Sequence, residues 1–253
     1  MFECPVAHPA LPKLFDAHLP NDPALWAVLH GQHAGRALVD NLERPMQCAL
    51  RTEPYLTFVN TTASFDFIAK SVQAFKQAGV VWLIRSHTDL SLPECDRIYP
   101  RLEFYDCDPH SSALEDFRSR TPPGCRIQKI DRTLLERCLW CGDMAFYCGS
   151  LENFLQNGLG ICLMHDDEIL VEAYASAFGA GNAEIGAVTH EPYRGRGYAP
   201  IAVAHLIHLL AQRGYQAYWS CDVDNEPSSR VAQKLGFRVK KTYEIWEYAA
   251  TKD

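Results

Sequence analysis

Apolar positions along this chain change period several times, and each change marks an element. Residues 11–34 carry Leu14, Phe15, Leu25, Val28 and Leu29 at spacings that predict helix. The runs "GRALVDN", "MQCALRT" and "YLTFVNTT" that follow are short, β-rich and separated by Pro, Glu and Asn, which predicts strands of a meander. Asp66 to Gln77 returns to helical spacing through Phe67, Ile68, Val72 and Phe75, and Gly79 ends it. "VVWLIR" reads as a buried strand, residues 86–102 as loop or short helix, and "LEFYDCD" as another strand.

Nothing periodic crosses 118–126, "RSRTPPGCR", where charge, Pro-Pro and Gly coincide, so a domain boundary is expected there. Beyond it the spacing predicts a helix over Thr133–Cys141. A second is expected over Ser150–Asn157, with Ser150 as N-cap and Asn157-Gly158 as its stop. "GLGICLMHDDEILVEAYASAF" predicts two strands around the turn His165–Glu168, and "NAEIGAVTH" a third. The polar, Gly-rich "EPYRGRGYA" runs into a long helix, Pro200–Arg213, closed by Gly214. A fourth strand, "QAYWSCDV", a capped helix, "NEPSSRVAQKLGF", and a last strand, "RVKKTYEIWEY", complete the pattern.

Composition narrows the partners. The chain has 253 residues, 47% hydrophobic and 22% charged, an ordinary globular balance long enough to bury a core. A net charge of -7 argues against a nucleic-acid or anionic-membrane partner over the whole surface, while leaving room for a local basic pocket. No apolar run reaches the roughly 18 residues of a membrane span. The N-terminus lacks the basic and apolar regions of a signal peptide, so a cytoplasmic location is expected. The ten cysteines form no regular framework and read as free thiols. Cys138-Leu-Trp-Cys141 has Cys148 nearby but lacks the second pair that zinc would want; no metal site is expected, and buried structural thiols are the better account.

The strand Ala183–Thr189, the turn Tyr193–Tyr198 and the helix after it form one unit. Arg194-Gly195-Arg196-Gly197 ahead of a helix offers successive backbone N–H groups with little side chain in the way, and the helix dipole adds positive potential. Glycine lets the backbone approach an anion closely. A Walker loop is absent, and the dinucleotide fingerprint lacks its third glycine, position 200 being proline. What remains is (Arg or Gln)-x-x-Gly-x-(Gly or Ala), met by Arg194, Gly197 and Ala199. Alone, this is also compatible with an ordinary Gly-rich turn.

A second motif follows one helix and one strand later: Asn225-Glu-Pro-Ser228, ending in Leu235-Gly236-Phe237. Together the two motifs resemble the GNAT superfamily of acyl-CoA N-acyltransferases over roughly residues 126–253. The phrases "GSLENFLQNGLGICL", "AEIGAVTHEPYRGRGYA" and "YWSCDVDNEPSSRVAQKLGF" look like the bacterial branch that carries an extra N-terminal domain. The resemblance implies an α/β (α+β) fold: a mixed, mostly antiparallel sheet flanked by helices. It also implies a degenerate GNAT-like αβ domain over 1–122, without a CoA loop, ahead of the acetyltransferase domain at 126–253. Acetyl-CoA is the implied co-substrate. Its pyrophosphate is expected on Arg194, Gly195, Arg196, Gly197, Tyr198, Ala199 and Pro200. Its pantetheine is expected along Ala187, Val188 and Thr189, with Asn225 and Ser228 close to that arm.

Transfer to an amine needs a base, a polarised thioester and protonation of the leaving thiolate. Glu184, at the start of the pantetheine strand, is where many relatives reach the amine through water; Asp222, Asp224 and His190 are alternatives. Many relatives place a tyrosine acid seven residues after the motif asparagine, and that position here is Ala232. Tyr218 and Tyr243 are other tyrosines to consider, Ser228 and Ser229 are poor acids, and no acid is assigned. Cys221 has no neighbouring histidine to activate it, so a buried thiol is expected rather than an acyl-enzyme. Lys234, Arg230 and Arg213 are candidates for the CoA 3′-phosphate. The expected activity is acetyl transfer to a primary amine of a small molecule or peptide by direct attack in a ternary complex, in a monomer or homodimer. The alternatives are a CoA-binding module without catalysis and a dinucleotide-binding domain.

Overall fold

The structure is a computed structural model that describes residues 1–16, 19–53, 55–85, 90–105 and 107–251. The first elements in chain order are β1 (Phe2–Cys4), α1 (Asp22–Leu29), β2 (Gly35–Val39), β3 (Cys48–Thr52), β4 (Leu56–Val59), α2 (Phe65–Lys76), β5 (Val81–Arg85) and β6 (Arg97–Tyr105). There follow α3 (Ser112–Ser119), β7 (Cys125–Lys129), α4 (Arg132–Leu135), α5 (Cys141–Tyr147), α6 (Leu151–Asn157), β8 (Leu159–His165), β9 (Glu168–Gly179) and β10 (Asn182–Thr189). The last are α7 (Tyr198–Gln212), β11 (Gln216–Asp222), α8 (Glu226–Lys234) and β12 (Arg238–Tyr248).

The chain forms two compact units, residues 1–103 with 241–253, and residues 104–240. Compactness thus divides it at a different place from the Pro-Pro-Gly segment at 118–126, which holds the end of α3 and the start of β7. β7 was not legible in the pattern; it pairs antiparallel with β8, Cys125 opposite His165 through Lys129 opposite Ile161.

In the first unit the strand order is β1-β2-β3-β4-β5-β12-β6. Neighbours from β1 to β4 are antiparallel, and β4 meets β5 in parallel over Leu56↔Trp82 and Thr57↔Leu83. α2 lies between β4 and β5 in sequence and buries Phe67, Ile68, Val72 and Phe75 against the sheet, as its helical spacing requires. Its N-terminus is closed by side chains: Ser64 Oγ accepts from Phe67 N (3.3 Å) and Gln47 Oε1 from Ser64 N (2.7 Å). The single helix expected over 11–34 is broken. A 3₁₀ turn covers Leu11–Leu14, and α1 starts only at Asp22, after Asn21 in the left-handed region (φ 56). Pro12, Pro20 and Pro23 explain the interruption, since a helix-interior proline removes a hydrogen bond and clashes with the preceding turn. β6 begins at Arg97, inside the stretch expected to be loop or short helix; residues 86–89 of that stretch lie outside the described residues.

The second unit has the order β11-β10-β9-β8-β7, antiparallel from β7 to β10 and parallel between β10 and β11. Four antiparallel strands, a helix and a parallel strand thus recur in both units. α7 packs across β8 to β11 on one face. α4, α5 and α6 cover the other, around Leu134, Leu135, Met144, Phe154, Cys162 and Tyr174. The helix expected over Thr133–Cys141 is instead one turn, α4, followed by a link to α5. The amides of Leu139 and Trp140 in that link are taken by the Glu172 carboxylate on β9, at 2.6 and 3.1 Å, and not by helical carbonyls. A non-local buried acid therefore outcompetes the local spacing.

Candidate active site

β10 and β11 pair over only three positions, Asn182↔Gln216, Ala183↔Ala217 and Glu184↔Tyr218. Beyond Glu184 the strands part, while β10 continues to pair with β9 from Ile185↔Ala175 to Thr189↔Val171. A bulge in β9 at Ser176 falls between the partners of Glu184 and Ile185, at the point of parting. Gly186, Ala187, Val188 and Thr189 are half-exposed, so β10 presents backbone N–H and C=O groups along a short open edge. An extended ligand arm can add to such an edge as a strand does. The structure brings Ala187, Val188 and Thr189 to this edge together.

The edge leads into the glycine loop. A 3₁₀ turn, Glu191–Tyr193, ends with Arg194 N donating to Glu191 O (3.3 Å). Among the described residues, no backbone carbonyl outside helices and strands accepts from the amides of Gly195, Arg196, Gly197, Tyr198 or Ala199. Gly195 and Gly197 have φ 76 and 77, a conformation that favours glycine. Gly197 is the N-cap of α7 and carries no capping side chain. These N–H groups stand at the start of a 15-residue helix, an environment of the kind that suits an anion. The contrast with α2, whose N-terminus Ser64 and Gln47 close, is direct. Pro200, in the first turn of α7, is buried and has no N–H to give. Arg194 Nε donates back to Thr189 O (3.3 Å), and the Arg196 guanidinium lies 5.6 Å from the Tyr193 ring centroid. Tyr193 in turn hydrogen-bonds Glu168, which fixes the loop to the start of β9.

At the far side of the parting strands, Asn225 Oδ1 accepts from Ser228 N (3.1 Å) and caps α8. Ser228 Oγ accepts from Trp219 Nε1 (3.0 Å), and Trp219 packs against Phe237 of the Leu-Gly-Phe turn. The second motif is thereby a structural brace for β11 as well as a candidate ligand contact. Ala232 is fully buried within α8's packing face, so no side chain there reaches solvent.

Glu184, Gly186 and Val188 face the α4–α6 side of the sheet. Ser220 Oγ donates to Glu184 Oε1 (3.3 Å), which orients the half-buried carboxylate where the strands part. A Cβ on Gly186 would stand 3.3 Å from Trp140 Cζ3 and 3.3 Å from Tyr174 Cε1, so these two rings cover that position. They meet edge-on with centroids 5.9 Å apart. Burial first, then the carboxylates of Asp143 and Glu184, push the Tyr174 phenol well above its ordinary range. Tyr174 therefore stays neutral at any working pH. Under this block lies Glu172, fully buried, which accepts from Leu139 N, Trp140 N and His190 Nε2 (2.6 Å). His190 is thus held by a buried acid. Sequence spacing gave no signal of the Glu172 cluster, because its four members meet only through tertiary packing.

The other candidates disperse. Asp222 is half-buried at the end of β11, and Asp224 is exposed beyond it. Cys221 and Tyr218 are buried. Tyr243 belongs to the first unit, where its hydroxyl bonds Asn21. Arg213 sits at the C-terminal end of α7, opposite the glycine loop, with Nη1 on Gly158 O (3.3 Å), which removes it from the phosphate candidates. Arg230 pairs with Glu226 on its own helix, and Lys234 is exposed in the last turn of α8. Cys138 is buried, 3.9 Å from Cys162, and donates to Leu134 O (3.3 Å). Among the described residues no group of three or more His, Cys, Asp or Glu could hold a metal ion, and no helix is long and apolar enough to cross a membrane.

Comparison with known proteins bears on this arrangement. A family profile described as GNAT acetyltransferase matches residues 13–246, and so takes in most of both units. An uncharacterized N-acetyltransferase of Bacillus subtilis (strain 168), YdfB, is 28% identical over 127 residues. That match spans 49% of this chain and 49% of that protein. The crystal structure of a GCN5-related N-acetyltransferase-like protein from Streptococcus suis 89/1591 superposes with a TM-score of 0.68 at 22% identity, covering 94% of this chain and 96% of that one. A tandem GNAT protein from the clavulanic acid biosynthesis pathway gives 0.62 at 12% identity, over 96% and 92% of the two chains. At these identities the two structures speak for the fold.

Proposed function

Because this chain belongs to the GNAT acetyltransferase family, we propose that it transfers an acetyl group from acetyl-CoA to a primary amine of a small molecule or peptide, within a ternary complex. The observation that carries the proposal is the continuity between the open edge of β10 and the uncapped amides of Gly195–Ala199. In this reading the pyrophosphate takes those amides, with Arg194 and Arg196 beside it. The pantetheine arm adds to Ala187–Thr189, and the thioester comes to Gly186, where β11 closes the edge.

Glu184 then accepts the ammonium proton, through a water, with Ser220 holding its carboxylate. The freed amine attacks the thioester carbon, backbone N–H groups of the edge receive the developing oxyanion, and the C–S bond breaks to give amide and CoA thiolate. The thiolate takes its proton from solvent, Ala232 standing where many relatives carry a tyrosine acid. Residues 126–253 carry this activity, and 1–122 form the αβ half that lacks a CoA loop. The enzyme works in the cytoplasm, as a monomer or homodimer; ten free cysteines suit a reducing compartment.

Release of free thiol from acetyl-CoA, measured across a panel of primary amines, tests the proposal. Amine-dependent release with an acetylated product supports it. CoA binding without release on any amine would support the alternative, a non-catalytic CoA-binding module, for which the buried Ala232 is the favouring observation.

A further inference from the structure

The site as proposed fixes where the thioester lies but leaves the length of the acyl group open. The space at Gly186, itself half-exposed, is bounded in three directions. Ahead of it the strands close, Glu184 pairing with Tyr218, whose side chain is buried. Below it α7 packs on β10, where Ala183 and Ile185 are buried. Above it stand Trp140 and Tyr174, both 3.3 Å from the point where a single Cβ on Gly186 would sit. That distance is already tighter than an ordinary van der Waals contact, so a chain that runs from the edge into the position over Gly186 requires the rings to give.

Tyr174 cannot give easily. It is 4% exposed and wedged edge-on between Trp140 and Phe154, the second pair 6.2 Å apart at 77°. Trp140 is held through its backbone. Its amide and that of Leu139 end on the two oxygens of Glu172, and His190 takes a further position on the same carboxylate. A fully buried carboxyl group with three hydrogen-bond partners fixes this link in place, because withdrawing any of them leaves a buried polar group short of a partner.

We infer that Trp140, locked by Glu172 and His190 and backed by Tyr174, is an acyl-length stop that restricts the donor to acetyl-CoA and excludes medium-chain acyl-CoA. Trp140 is the specificity-determining residue, and Glu172 and His190 are positioning residues. The inference rests on the pantetheine edge proposed above.

Calorimetry with free CoA, acetyl-CoA and hexanoyl-CoA tests it without knowledge of the amine. Wild type is expected to bind free CoA and acetyl-CoA with similar affinity, and hexanoyl-CoA at least tenfold more weakly. Trp140→Ala should bring hexanoyl-CoA to within about threefold of acetyl-CoA while leaving free CoA unchanged. Trp140→Leu, a smaller change for the fold, should fall between, and Trp140→Phe should restore exclusion. Glu172→Gln, which sets an amide N–H against a donor, should relax the exclusion with free CoA affinity intact. Wild type binding hexanoyl-CoA as tightly as acetyl-CoA overturns the inference alone, as does a Trp140→Leu variant that still excludes it. Wild type binding none of the three overturns the proposed function, and the stop with it.

Discussion

Replacing Gly197 by aspartate separates the loop's part in the fold from its part in binding. Gly197 has φ 77, and a Cβ there meets nothing within 4 Å, so the steric cost is confined to the backbone. A left-handed conformation costs an L-residue about 1–2 kcal/mol, less for aspartate, which visits this region more readily. As N-cap of α7, aspartate also accepts from free amides and faces the positive end of the helix, which returns about 0.3–1 kcal/mol. Stability should therefore change by about 1 kcal/mol or less. Binding should change far more. A carboxylate about 5 Å from one phosphate charge repels it by about 1 kcal/mol at the dielectric of water and about 3 kcal/mol at that of a protein surface. The pyrophosphate carries more than one charge. A loss of at least about 2 kcal/mol, roughly thirtyfold in Kd, follows. Gly197→Ala bears the strain without the charge and should lose only about threefold. Calorimetric titration with CoA in low salt reads both, with thermal melts as the fold control. Because the loop is exposed, the Gly197→Asp penalty should shrink in high salt. A Gly197→Asp protein that binds CoA within threefold of wild type at low salt would refute the loop assignment.

Glu184→Gln should lower turnover about 100-fold and leave CoA affinity unchanged, as expected for loss of a general base; an undiminished rate would remove Glu184 from the mechanism. Asn225→Ala deletes the cap of α8 and should cost about 1 kcal/mol, seen as a drop of about 2–4 °C in Tm. Unchanged stability would show that the Asn225 cap contributes nothing. Burial, then Arg118, holds the His205 imidazole below its ordinary value of 6.5, with His208 adding to this and Glu115 opposing it. The unfolded chain thus binds the proton more readily, so stability is whole above pH 6.5 and declines as pH falls toward the lower folded value. Denaturant melts between pH 7.5 and 5 should show that slope, and His205→Gln should flatten part of it. A slope unaltered by His205→Gln would contradict this account.

The second unit was largely legible because its signals are local. The turn at His165–Glu168, the Ser150 cap and the glycines at 195 and 197 each impose a backbone geometry within a few residues. The register that opens β10 beyond Glu184 is not local, and only the resemblance to the GNAT superfamily, counted back from Arg194, points to Ala187–Thr189 there. Misreadings fell where tertiary contacts or prolines override period. Residues 11–34 look helical by spacing, but three prolines divide them. Thr133–Cys141 looks helical until Glu172, more than 30 residues later, claims two of its amides. For the same reason the Trp140–Tyr174 cover over Gly186 left no trace in the pattern: glycine in a strand signals a close approach without saying by what.

The claim on which the rest depends is that CoA lies along β10 and ends on the amides of the glycine loop. A crystal structure with acetyl-CoA tests it most directly. Pyrophosphate oxygens are expected within hydrogen-bonding distance of the amides of Gly195–Ala199, pantetheine paired with Ala187–Thr189, and the acetyl group against Gly186 beneath Trp140. Acetyl-CoA bound with its pyrophosphate away from that loop, or with β11 paired to β10 along its whole length and no arm between them, would contradict it.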